Sequence, residues 1–194
     1  MKNLKYFRVF ENQNLPIVSI EEFLREIRIN PDMIPSISEW WNKNRSGIEI
    51  YFFPFQCEEP ISGVFLDDNK ICVNSKMAIP SHIKLFLALH ESRHCDQQKT
   101  GNFMKGYYDT VLNDDMEGFS KTYSDLERDA NDFAISSMRE IGFSRQFDNY
   151  LEYHLRGNEK VGNKVYFMMK KDIEKYKPTD FFDLLKKQIG FYNL

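Results

Sequence analysis

Long apolar runs are missing from this chain of 194 residues: none approaches the ~20 residues needed to span a bilayer. The opening stretch MKNLKYFRVFENQN also lacks the apolar segment of a secretory leader. No membrane association is expected. Cysteine is scarce. Cys57, Cys72 and Cys95 are too few and too scattered for a disulfide framework, and there is no C-x-x-C pair. That favours a reducing setting, so the expected location is cytoplasmic. A positive excess is lacking too, with net charge −3 and pI near 5.9. Small basic runs such as Lys170-Lys171 and Lys186-Lys187 sit among acids and read as solvated helix faces, so no direct nucleic-acid contact is expected. Internal repeats and low-complexity tracts are absent. What is present in quantity is aromatic: 17 Phe and 10 Tyr, within a hydrophobic content of 42%. A disordered chain would hold fewer, and this length suffices for one domain with a sizeable core.

The chain reads as α+β: a small antiparallel or mixed sheet packed on a helix-rich core, with additional C-terminal helices. Ser19 and Glu22 form an S-x-x-E capping box opening the helix SIEEFLREIRI, whose stripe includes Phe23 and Ile27. Pro31 and Pro35 are expected to break the chain, with a short helix following at 38–44. IEIYFF (48–53) has strand composition, and GVFLDDNKICVN (63–74) reads as a hairpin turning at Asp-Asp-Asn. Pro80 is expected at the N1 position of a helix running to about Gln98. A polar and aromatic connection spans 101–124, of a length that is often functional. A second strong helix is expected from Ser124 to Ile141, stopped by Gly142. Further helical patterns occupy 145–156, 160–176 and 180–190. Residues 1–45 are taken as a helical extension packed on a domain of residues 46–194. Within that domain the motif-bearing core spans about 60–142, and C-terminal helices span 145–191.

Only four histidines occur, and two fall in FLALHESRHCDQQ (86–98). Residues four apart on a helix differ by about 40° in azimuth, so His90 and His94 point the same way and can reach one metal ion. Glu91 is rotated by about 100° and lies beside such an ion as a carboxylate able to take a proton from water. This is the H-E-x-x-H arrangement. Ile83, Leu87, His90 and His94 fall within about 60° of arc, placing the histidines on the apolar face. The plain alternative is two core histidines with satisfied hydrogen bonds. A catalytic zinc needs a third protein ligand and an open position. Among Glu127, Asp129, Asp132, His154 and Cys95, the wheel favours Glu127. It lies inside the stripe of Leu126, Ala130, Phe133, Ala134, Ser137 and Met138, whereas Asp129 and Asp132 face away. A carboxylate on a core-facing side is costly unless paired or bound to metal. The competing reading makes Ser124-x-x-Glu127 a second capping box. Asn131, four after Glu127, could hydrogen-bond a ligand imidazole and fix its tautomer, or be a polar boundary residue.

H-E-x-x-H followed by E-x-x-A-N-x-F-A, here His90, Glu91, His94 and then Glu127, Ala130, Asn131, Phe133 and Ala134, resembles the ImmA/IrrE-type zinc metallopeptidases. These share a compact gluzincin core with thermolysin. GVFLDDNKICVN is similar to that family's strand pair before the active-site helix, and the resemblance covers about residues 60–142. Where the family has Gly before the second His, this chain has Arg93, and no helix-turn-helix module is evident. The resemblance implies a narrow-specificity intracellular endopeptidase acting on a protein or peptide partner such as a transcriptional repressor, often in phage or mobile-element circuits.

The expected centre is Zn²⁺ on His90, His94 and Glu127, with Glu91 as general base. His154 is a candidate for stabilising the oxyanion, against the plainer reading of a packed core residue on the stripe Phe147, Leu151, His154. Tyr107 and Tyr108 are weaker candidates. The strand around Ile71 to Asn74, with Val73 and Asn74, could pair with an extended substrate backbone. Trp40 and Trp41 read as core and interface filler. The alternative to an active enzyme, motivated by Arg93 and the missing substrate module, is a binding or sensor protein on a metallopeptidase scaffold with structural zinc.

Overall fold

The computed structural model describes residues 16–52, 63–67, 69–100 and 109–143. Over these the protein is mixed α+β and mostly helical, with one three-stranded sheet. The C-terminal helices expected at 145–191, with His154, and the residues Tyr107 and Tyr108 lie outside them.

Helix α1 (Ile20–Glu26) begins where the capping box placed it. Ser19 Oγ accepts from the Glu22 backbone N–H at 3.2 Å, and Glu22 Oε2 accepts from the Ser19 N–H at 2.8 Å. Two of the donors that a helix start leaves unsatisfied are thereby paired. A 3₁₀ turn (Pro31–Met33) leads into α2 (Ile34–Asn44). The prolines start these elements rather than break them: Pro35 lies in the first turn of α2, where no intrahelical N–H bond is lost. That is why α2 begins four residues earlier than the reading of 38–44. Its buried residues Ile34, Ile37, Ser38 and Trp41 follow helical spacing.

The sheet order is β1-β3-β2, with β1 (Glu49–Phe52), β2 (Gly63–Asp67) and β3 (Lys70–Val73). β2 and β3 form the expected antiparallel pair, with Val64 opposite Cys72. β1 joins β3 in parallel, with Ile50 opposite Ile71. β3 is therefore the middle strand. A bridge between Val18 and Ile50 covers part of β1's other edge.

Helix α3 (Ser81–Lys99) starts one residue later than expected, because Pro80 is its extended N-cap (φ −55°, ψ 147°) and not its first helical residue. It packs against both β2 and β3 and against α4 (Met116–Glu140). α4 is longer than the reading of 124–141. Its cap is Asp115, whose Oδ1 accepts from the Gly118 N–H at 2.8 Å. A Cβ on Gly118 would lie 2.0 Å from Asp115 Oδ2, so a larger residue there would shift this carboxylate. Ser124 lies well inside α4, so the proposed Ser124-x-x-Glu127 box does not form. At the far end Gly142 takes φ +92°, as its role as a stop required.

One apolar core runs through these elements. Phe23 and Leu24 from α1, Ile71 from β3, Leu85 and Leu89 from α3 and Phe119 from α4 are all fully buried. Each contributes on the order of 1.5–3 kcal/mol by leaving water. The two tryptophans tie the N-terminal layer to this core: Trp41 is buried, and Trp40 Nε1 donates to Glu140 Oε2 at 2.7 Å.

Candidate metal centre

The seam between α3 and α4 is where apolar packing gives way to polar groups. His90, Glu91, His94 and Gln97 of α3 are buried there, as are Glu127 and Asn131 of α4. Helical spacing explains the meeting. His90, His94 and Gln97 recur at four and three residues on one helix, and Glu127 and Asn131 at four on the other. The two faces then lie opposite each other across a close helix contact.

The imidazole Nε2 atoms of His90 and His94 are 3.0 Å apart. Glu127 closes the triangle, with Oε2 3.4 Å from His90 Nε2 and Oε1 3.4 Å from His94 Nε2. These three residues could hold a metal ion, each offering one ligand atom within 4.8 Å of the others. The size is right for a small tetrahedral cation. Zinc–nitrogen bonds of about 2.0–2.1 Å give donor–donor edges of about 3.3 Å, close to those observed.

The remaining ring nitrogens are committed elsewhere. His90 Nδ1 lies 2.9 Å from Asn131 Oδ1, and His94 Nδ1 lies 2.7 Å from Gln97 Oε1. An amide oxygen only accepts, so each Nδ1 carries a hydrogen and donates it. In the neutral rings this leaves both Nε2 lone pairs aimed at each other and at the carboxylate. Three electron-rich atoms so arranged repel unless a positive charge lies among them. That charge can be a metal ion or a proton.

The acid–base balance of the metal-free cluster says the same. Burial alone would push the Glu127 carboxyl upward, but the neighbouring His94 and His90 rings override it and hold it at about 2. Burial alone would likewise keep His94 neutral. The Glu127 carboxylate overrides that, with help from Glu91 and Gln97, and His94 rises to about 9. Glu91 is 0% exposed and its charge bears on His94.

Val73 and Asn74 are placed differently from their expected role. β3 is hydrogen-bonded on both sides, so an extended peptide cannot add to it at Val73. Asn74 is buried, and its Oδ1 accepts from the Lys76 N–H at 3.1 Å in the turn toward α3. Cys95 packs in the core with Sγ 3.8 Å from the Lys70 carbonyl oxygen. Arg93 does not enter the cluster. It turns outward to grip Asp129, with Nε at 2.8 Å and one terminal nitrogen at 3.1 Å. Asp129 is thus an ion-pair partner rather than a ligand, and its carboxyl is held below the ordinary range chiefly by the bond from Arg93.

Gln97 was missed as a contributor to the site, and Asp129 was weighed only as a metal ligand. The spacing of Gln97, three after His94 and seven after His90, was the available signal. A scan against protein-family models, a search of curated proteins and a search of solved structures each returned no match.

Proposed function

We propose that this chain is a zinc-dependent endopeptidase of narrow specificity, acting inside the cell on a protein such as a transcriptional repressor. The observation that carries the reading is the triangle of His90 Nε2, His94 Nε2 and a Glu127 oxygen, with both Nδ1 atoms tied to amide oxygens. The H-E-x-x-H and E-x-x-A-N-x-F-A resemblance to ImmA/IrrE-type peptidases supplies the reaction class. Zinc, when bound, supplies a Lewis acid that lowers the pKa of water toward ~7 and polarises a carbonyl. Asn131 and Gln97 keep the two rings turned with Nε2 toward the ion. Glu91 follows His90 directly and takes the proton of the attacking water. The hydroxyl then goes to the acyl carbon and the proton to the departing amine as the C–N bond breaks. No helix among the described residues is long and apolar enough to cross a membrane.

Elemental analysis of protein purified without chelator tests the centre: about one zinc per chain is expected, and no metal even after added Zn²⁺ would overturn it. Glu91→Gln tests the reaction. It should retain zinc and lose cleavage of a co-encoded repressor, followed by mass spectrometry of the fragments. Unchanged cleavage would remove Glu91 from the role of base.

One observation favours a second reading, a binding or sensor protein with structural zinc. Glu91 and His94 are both 0% exposed, a depth suited to a closed site. X-ray absorption separates the two readings: four protein ligands and no open position would support the second.

A further inference from the structure

Arg93 occupies the residue before the second histidine, yet its guanidinium lies outside the triangle, on Asp129 of the neighbouring helix. We propose that Asp129, held by Arg93, is a positioning residue for the metal centre, acting through Gln97 to keep the His94 ring turned with Nε2 toward His90 and Glu127. This rests on the metal-centre reading above.

The argument lies in the direction of each hydrogen bond. A glutamine amide is two-faced. Presented oxygen-first it accepts from Nδ1–H and leaves Nε2 free to ligate. Presented nitrogen-first it donates to Nδ1 and selects the tautomer with hydrogen on Nε2, which cannot bind metal. Nothing in His94 decides between the two. The decision is made at the other end of the amide, where Gln97 Nε2 donates to Asp129 Oδ2 at 2.7 Å and to the Leu126 carbonyl oxygen at 3.0 Å. Both partners only accept, so the amide nitrogen must face them and the oxygen must face His94, 2.7 Å away.

Asp129 could not hold this place alone, because its side chain is 45% exposed. Two guanidinium bonds from Arg93 fix it. Arg93 is steadied in turn by Asp96, 3.6 Å from its other terminal nitrogen, which also receives Arg45 from the end of α2. The two histidines are therefore supported unequally. His90 leans on one amide oxygen of Asn131. His94 leans on an amide whose orientation is set by the Leu126 carbonyl oxygen and by a charged pair joining α3 to α4.

Co²⁺ is the probe: its visible absorption reports the ligand set, and competition with a chelator gives its affinity for the full chain. Asp129→Ala and Gln97→Leu are each expected to weaken Co²⁺ binding by about 10–100-fold. Because both act through one bond, the double variant should fall within about twofold of the worse single. Gln97→Glu in the Asp129→Ala background should restore affinity, since a carboxylate only accepts and has no wrong face. Melting of the metal-free variants separates this role from a merely structural one, and Asp129→Leu, which also has no acceptor, serves if Asp129→Ala does not fold. Unchanged Co²⁺ affinity in the Asp129 variants, additive losses, or no rescue by Gln97→Glu would each overturn the proposal. If the wild-type chain takes up no Co²⁺, the metal-centre reading itself fails. If it binds normally and only the variants are silent, the failure belongs to Asp129 alone.

Discussion

The N-terminal layer and the α3–α4 seam are buried to a similar depth but filled with opposite chemistry. In the first, Phe23, Leu24, Ile37 and Trp41 meet other apolar groups, and what counts is volume. In the second, His90, Glu91, His94, Gln97, Glu127 and Asn131 sit side by side, and what counts is the direction of each hydrogen bond. A fold gains nothing in stability by gathering six polar side chains where six apolar ones would pack. The layer is what holds the chain together, and the seam gives up some of that to gather polar side chains, three of which could hold a metal ion.

The contrast is tested most strongly at Glu127. Glu127→Ala should lose metal by more than the roughly 10–100-fold typical of removing a supporting hydrogen bond. The metal-free chain should still fold, because a neutral His94 suits its burial once the carboxylate is gone. A Co²⁺ titration beside a metal-free melt reads both. Phe23→Ala should do the reverse. It should cost about 3–5 kcal/mol of stability in urea melts and leave the Co²⁺ affinity of the folded protein unchanged.

The pH dependence of the metal-free chain is a gentler probe. His94 is raised from an ordinary 6.5 to about 9, so its contribution is complete below 6.5 and is lost as pH rises through about 9. Glu127 is lowered from 4.5 to about 2, so its contribution is complete above 4.5 and is lost as pH falls through about 2. Denaturant melts of chelated protein should therefore show this pair at full strength between 4.5 and 6.5 and weaker on both sides. In the Glu127→Ala chain that shape should flatten. The smallest effect is expected at Ser19. Ser19→Ala removes the side-chain half of the α1 cap and should cost about 1 kcal/mol, with no change at the metal.

Much of this was legible in the residues. The capping box at Ser19, the strand pair and the placing of His90 and His94 on one face all follow from local periodicity, which sequence carries directly. The start of α4 did not. The cap at Asp115 lies in the stretch read as a polar connection, and its bond from the Gly118 N–H shows only in the structure. The outward course of Arg93 was hidden too, because its partner Asp129 lies thirty-six residues away on a second helix, at a position the helical wheel marks as facing elsewhere. β1 pairing in parallel with β3 is likewise a long-range choice that no hairpin signal reports.

That choice has a consequence for how the protein breathes. With neighbours on both sides, the β3 amides of Ile71, Cys72 and Val73 sit in the interior of the ladder, under α3. Their hydrogen exchange should require opening of the whole domain and so report its global stability, while the rims of the sheet exchange through local fraying. Comparing β3 exchange with and without added metal would show how much of the molecule's global stability the polar seam controls.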